Sequence, residues 1–323
     1  MSTHWTLGWA HGEFTVQALG GMLAPVRFWL ANGAEISPLQ VAPWQPDPAL
    51  PGVLRGLRGE WPCLPFGMSQ SRTDLPAGWQ LREADDGWDH GYCANHEWQR
   101  VDTVEADALT IAIDYPAASP VARLERTVRA DPDAPALTVT LTIHARRDAM
   151  LPFALHPTFT VPADGLELVG GGYAAVHTYP VPQEPGISRI TADCTTASLA
   201  ALPTAEGPVD HRRLPLPYPT EELVQLADCR PPFVLRYPQA DVALDWDASQ
   251  LPDALLWFSN GGRRHAPWHG RHFALGIEPA NSVFDLARVA TPPQQHPLAG
   301  RHGLALQAGV PMKVGYRLSA RLR

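Results

Sequence analysis

Between Phe153 and Val161 the chain alternates with a period of two. Phe153, Leu155, Phe159 and Val161 fall on one face, and Ala154, His156, Thr158 and Thr160 on the other. The pattern predicts a strand with an apolar core face and a small, polar opposite face, where an imidazole has room to reach a ligand. Alone, a histidine in such a place is most simply a surface or satisfied residue. A second stretch, Phe273 to Pro279, changes that: Phe273, Leu275 and Ile277 alternate with Ala274, Gly276 and Glu278, so a carboxylate ends another face of small residues. Pro279 is expected to stop ladder pairing there and to favour an extended backbone at Glu278. A His and a Glu, each at the end of a strand above a cleared floor, suit acid and base work on opposite sides of a small polar substrate, with no metal required.

The rest of the chain has the same texture. Phe14–Val16 and Val26–Leu30 are short apolar runs, and Asn32-Gly33 predicts a hairpin after them. Leu109–Ile113, Ala122–Val128 and Leu137–Ile143 read as a meander of antiparallel strands, with Asp131-Pro132-Asp133 as a turn. Val242–Asp247 and Ala254–Asn260 are two further strands, the second apolar enough to be central. Leu304–Leu306 and Val314–Leu318 close the sheet. Residues 162–240 read as loop-heavy. Gly170-Gly171-Gly172 within them lacks the Lys-Ser/Thr of a phosphate-binding loop and is taken as a structural turn. Trp44, in a proline-rich loop, is either a packing plug or a wall of a site.

Composition narrows the class. The 323 residues carry 34 prolines and 26 glycines, dispersed along the chain, which fits many strands and turns better than long helices. Large β-sandwiches and barrels run to this size as one unit, so a single domain spanning 1–323 is the expectation. A net charge of −8 and the lack of a basic stripe argue against a nucleic-acid partner. The four cysteines, Cys63, Cys93, Cys194 and Cys229, have no CxxC spacing and read as free thiols of a reducing compartment. The N-terminus, Met1 to Trp5, has no signal-peptide pattern, and no run is apolar enough to span a membrane, so a soluble cytoplasmic protein is the expectation.

His156-Pro157-x-Phe159, Glu278-Pro279 and an upstream His90-Gly91 together resemble the aldose 1-epimerase (galactose mutarotase) superfamily, over most of the chain and in the right order. The resemblance implies a mostly β, antiparallel supersandwich with few helices, no cofactor, and an aldose sugar as the small-molecule partner of a monomer or homodimer. It implies an isomerase that interconverts anomers, with Glu278 as base on the anomeric hydroxyl and His156 as acid on the ring oxygen. It further implies that Arg72 binds sugar hydroxyls, although the usual Asn-Arg pair reads Ser71-Arg72 here. His90 would assist at the ring oxygen, its glycine partner letting the backbone approach the ligand, and His96 competes for that role. From Glu221 to Leu226 the resemblance implies an acidic sugar-binding residue, for which Glu222 is the candidate.

Other readings stay open on the residues. A binding or sensor protein on the same fold could keep the same face, and a paired-carboxylate carbohydrate enzyme is a third class. Arg263, Arg264, His265, His269, Arg271 and His272 crowd one loop before Glu278, where a hexose 6-phosphate would find its cations. Pro267 and Gly270 break any helix that would make His265 and His269 a metal pair, so no metal is expected.

Overall fold

The computed structural model describes residues 3–83, 87–102 and 105–323. Met1 and Ser2, and Asp85 and Asp86 of the acidic turn before His90, lie outside the described residues. Two large antiparallel sheets face each other. One has nine strands, in the order Arg213–Leu214, Leu166–Gly172, Arg230–Arg236, Ala240–Trp246, Met312–Leu322, Ala136–Ala145, Val121–Ala130, Ala108–Asp114 and Gln99–Val101. The other has eight. Its main path runs Thr195–Thr196, Ala175–Thr178, Thr220–Ala227, Asp253–Asn260, Phe273–Asn281, Phe153–Leu155 and Pro62–Cys63, and Thr158–Thr160 also pairs with Phe273–Asn281. A four-stranded sheet of N-terminal strands, ending in the Asn32-Gly33 hairpin that pairs Phe28 with Ile36, packs onto the same core. Among the described residues, α-helix is confined to Tyr92–Asn95, and no helix is long and apolar enough to cross a membrane.

The period-two pattern of the eight-stranded sheet divides its residues between two apolar clusters. Phe153, Leu155, Phe159, Val224, Leu226, Leu256, Phe258, Leu275 and Ile277 join the large core shared with the nine-stranded sheet. The alternate positions Ala154, Leu223, Leu255, Trp257 and Ala280 belong to a second cluster on the outer face, with Trp61, Trp268, Tyr179 and Phe284. This outer face is roofed by loops rather than open to water, so His156 and Thr158 on it are buried too.

Three expectations need correction. The segment 153–161 is two strands broken at His156-Pro157, because proline has no N–H to continue the ladder. Glu278 is not at a strand end: pairing runs through Pro279, which lies opposite Ala254, to Asn281. Ile277 N–H donates to the Pro157 carbonyl, so two residues on, the missing N–H of Pro279 faces the same neighbour, where that neighbour is itself kinked. Residues 162–240 hold four long or central strands, and Gly170 to Gly172 lie inside one of them, at irregular register, instead of forming a turn. Among the described residues none of the four cysteines is joined in a disulfide.

Candidate active site

Sheet register brings the two motifs together. Phe153 and Ala154 pair with Asn281 and Ala280, and Thr158 to Thr160 pair with Gly276 to Ala274. Continuing either register sets His156 opposite Glu278. Their side chains meet, with His156 Nε2 at 3.4 Å from Glu278 Oε1. Gly276, one turn of the pleat away, is required: a Cβ there would stand 2.8 Å from Glu278 Oε1 and 3.0 Å from Trp257 Cβ. The small floor predicted from the sequence is thus the space the carboxylate occupies.

His156 is held from three sides. Its backbone N–H donates to the Trp61 carbonyl at 3.0 Å, its Nδ1 lies 3.2 Å from Thr158 Oγ1, and the Trp61 ring stacks on it with centroids 4.1 Å apart. With the Thr158 hydroxyl turned to the His156 carbonyl at 3.5 Å, Nδ1–H donates to Thr158 and Nε2 is left to share a proton with Glu278. Burial, and then the neighbouring His90, hold the His156 imidazole well below its ordinary range. Burial, and then the like charge of Asp285, push Glu278 well above the usual carboxylate range. Burial therefore favours the neutral form of both groups, and the pair titrates as a unit.

His90 stands beside His156, its ring edge-on to it at 5.3 Å and stacked on Phe66. It sits in a turn at φ 59°, fixed by its N–H to the Gly67 carbonyl and by Asn95 bonding the Asp89 and Gly91 carbonyls. Gly91 is needed because a Cβ would overlap the Leu64 carbonyl; the close approach is to protein backbone, not to a ligand as expected. Burial pushes His90 down to about 4. Nothing among the described residues bonds its buried Nδ1. His96, the competing candidate, stacks on Tyr92 and bonds the Tyr92 carbonyl outside the site.

These groups line a cleft of about 510 Å³, within the roughly 300–1,000 Å³ usual for small-molecule sites. Its walls are aromatic, with Trp61, Trp88, Trp257 and Trp268, and its polar lining includes His90, His156, Glu278, Asp285, Asp89, Glu184 and Arg263. Trp44 stands behind the wall, edge-on to Trp268 at 4.8 Å, as a packing residue. Among the described residues no group of three or more His, Cys, Asp or Glu side chains is placed to hold a metal.

The remaining candidates lie elsewhere. Arg72 forms an ion pair with Asp74 at 2.8 Å and lies over the Tyr179 ring, and it does not line the cleft. Glu222 shares the core-facing parity of Val224 and Leu226. Its carboxylate ties down a loop by accepting from the N–H groups of Arg189 (2.5 Å) and Ile190 (3.3 Å) and from the Thr220 hydroxyl. Its neighbour Glu221 points to the other face, behind the cleft wall. Glu221 accepts from Trp257 Nε1 at 2.5 Å and Ser259 at 3.2 Å and pairs with Arg263 at 3.4 Å. Asp285, which no sequence pattern singled out, reaches the cleft from an irregular segment.

No protein-family model matches the chain, and no curated protein does so at a significant level. Solved structures do. The chain is similar over 99% of its length to a candidate aldose 1-epimerase from Escherichia coli, with 16% identity, 99% of that chain covered and a TM-score of 0.67. The fold is that of the galactose mutarotase-like proteins. A candidate mutarotase from Salmonella typhimurium matches with 11% identity, coverage of 99% and 90%, and a TM-score of 0.62. A galactose mutarotase-like protein from Clostridium acetobutylicum matches with 12% identity, coverage of 99% and 95%, and a TM-score of 0.62. At such identities the likeness is one of fold, and the chemistry of this chain has to be argued from its own residues.

Proposed function

We propose that the protein is an aldose 1-epimerase acting on unphosphorylated sugars, with Glu278 as base and His156 as acid. The observation that carries this reading is the His156–Glu278 contact at 3.4 Å on the floor of an aromatic-walled cleft. Mutarotation requires one group to take the proton of the anomeric hydroxyl and another to give a proton to the ring oxygen. Both oxygens are bonded to C1, so a base and an acid a few ångströms apart can serve them together.

Before a sugar binds, the raised carboxyl of Glu278 keeps the shared proton. A bound sugar offers Glu278 a hydroxyl donor and His156 an acceptor, which favours the ionised carboxylate and the protonated imidazole. The ring then opens to the aldehyde, and it recloses on either face of the carbonyl with the roles reversed. Acid and base contributions of roughly 10²–10⁴-fold suffice for a reaction that already proceeds in water. The tryptophan walls suit the apolar faces of a sugar ring.

A neutral sugar fits better than a phosphorylated one because the cations do not converge. Of the six cationic residues before Glu278, only Arg263 and His265 line the cleft, and Arg263 is already between Glu221 at 3.4 Å and Glu184 at 3.9 Å. Arg264 and Arg271 are exposed, and His272 is buried against Trp257. Polarimetry on freshly dissolved aldoses tests the proposal: interconversion above the spontaneous rate, lost in Glu278→Gln, is expected. Tight sugar binding without any acceleration would instead make the protein a binder.

A further inference from the structure

Asp285 is fixed by more of the structure than a loop carboxylate needs. The Gln225 side chain grips the segment before it, donating to the Ser282 carbonyl at 2.9 Å and accepting from Phe284 N–H at 2.6 Å. Phe284 is held at φ 47°, a left-handed conformation that is strained in a residue with a side chain. The Asp285 carbonyl accepts from Met68 N–H at 2.8 Å, and Tyr179 OH donates to Asp285 Oδ1 at 2.7 Å. Asp285 is 9% exposed and lines the cleft, and among the described residues Tyr179 is the one side chain shown donating to its carboxylate. One oxygen is anchored, and the group still reaches the cleft.

Its direction of approach narrows what that is. Tyr179, which holds it, follows the strand Ala175–Thr178, three positions along the sheet from the Glu278 strand and on the far side of it from His156. A sugar with its ring oxygen toward His156 and its anomeric hydroxyl on Glu278 turns C2 the other way. We propose that Asp285 is a substrate-contacting residue whose Oδ2 accepts a hydrogen bond from the C2 hydroxyl of the sugar. This rests on the epimerase reading of the cleft. It makes the site selective for aldoses that carry that hydroxyl, because without it a carboxylate in a sugar-filled cleft loses a donor.

The test crosses Asp285→Asn with deoxy sugars, using glucose and its 2-deoxy, 3-deoxy and 6-deoxy forms, with binding read by calorimetry and turnover by polarimetry. In the wild type, 2-deoxyglucose should bind about 10- to 100-fold more weakly than glucose, the size expected for a hydrogen bond to a charged acceptor. In Asp285→Asn glucose should fall by a similar factor, and the further loss on removing the C2 hydroxyl should shrink to a few-fold.

A second readout separates contact from mere support. The charged and titratable groups around Asp285 are Glu278, Asp89, Tyr179 and Arg72. Deleting its charge removes a like charge from Glu278, so the acid limb of kcat/KM should move to lower pH, whereas a structural role would leave it in place. Tyr179→Phe, which keeps the ring, should weaken glucose binding several-fold in the same sense. An undiminished 2-deoxy penalty in Asp285→Asn, with wild-type glucose affinity and an unmoved acid limb, overturns the proposal and leaves the epimerase reading standing. Failure of the wild type to bind any sugar of the panel overturns both.

Discussion

The molecule buries two carboxylates that face opposite situations. Glu60 is 0% exposed between the sheets and meets Arg126, itself 1% exposed on the strand Val121–Ala130; Tyr316 OH donates to the same Glu60 oxygen at 2.7 Å, and Arg126 also donates to the Gly21 carbonyl. Glu278 is 2% exposed, but its neighbours are an imidazole whose burial keeps it neutral and a second carboxylate, Asp285. A permanent cation compensates the first. The second is left short of partners in a cleft where a substrate can arrive with donors. A buried ionisable group without compensation is costly, so its persistence in a cleft points to use, whereas the compensated pair points to support of the fold.

Exchanging each carboxylate for its amide breaks the comparison most sharply. Glu278→Gln should lower epimerase turnover by two to four orders of magnitude, the range of a lost general base, while the thermal midpoint stays level or rises because a poorly compensated acid is gone. Glu60→Gln should do the reverse, destabilising the protein by roughly 3–5 kcal/mol through the unpaired Arg126, with turnover of the folded fraction nearly unchanged. Turnover and denaturant unfolding on the two variants check this, and equal effects on both quantities in both variants would sink the distinction.

His156→Asn comes next in size. It should cost kcat about 10²-fold with little change in affinity, since a proton donor to the ring oxygen gains its value in the transition state. A raised KM with unchanged kcat would make His156 a binding residue.

The contrast also shows what a sequence can carry. Glu278 lies on a regular strand and His156 between two short ones that keep the same parity, so period two located both, and sheet pairing did the rest. Glu222 was preferred over Glu221 although the same rule separates them: Val224 and Leu226 assign Glu222 to the core face, leaving Glu221 and Gln225 for the other. Arg126, between Leu124 and Val128 at core parity, was equally readable as a buried charge. Asp285 was not. It follows a left-handed Phe284 in a segment with no period, and it depends on Gln225 and Tyr179, 60 and 106 residues away, whose meeting only the folded sheet reveals.

Acid should expose the cleft side before the core. Burial holds His156 well below its ordinary value, His90 at about 4 and His272 at about 3, so below pH 6.5 the unfolded chain binds protons that the native state refuses. The histidines' contribution to stability is therefore whole above pH 6.5 and declines as pH falls toward 4 and 3, each adding a slope of up to ~1.4 kcal/mol per pH unit. Glu278 and Asp285, both raised by burial, act in the opposite sense above the usual carboxylate range, where the native state keeps protons that the unfolded chain releases. Thermal midpoints followed from pH 7 to 4 should fall, and His272→Gln, which can keep a bond to Ser259, should flatten part of that fall. A flat profile in the wild type would show that these imidazoles are not neutral and buried.

The smallest effect belongs to Arg263, which joins features of both regions. Like Arg126 it compensates a buried carboxylate, Glu221, yet like His156 it lines the cleft, over Trp268 with its guanidinium carbon 4.7 Å from the ring centroid and over Trp257 at 5.4 Å. Cation–π contacts of this kind contribute about 0.5–2 kcal/mol. Arg263→Ala should therefore loosen the tryptophan wall and leave Glu221 short of its cation, raising KM for neutral aldoses several-fold while kcat stays within about twofold, since neither reacting oxygen is touched. Arg264→Ala, at an exposed position of the same loop, should change neither constant. If Arg263→Ala instead spares glucose and abolishes turnover of glucose 6-phosphate, the arginine is a phosphate ligand, and its pairing with Glu221 is only its resting state.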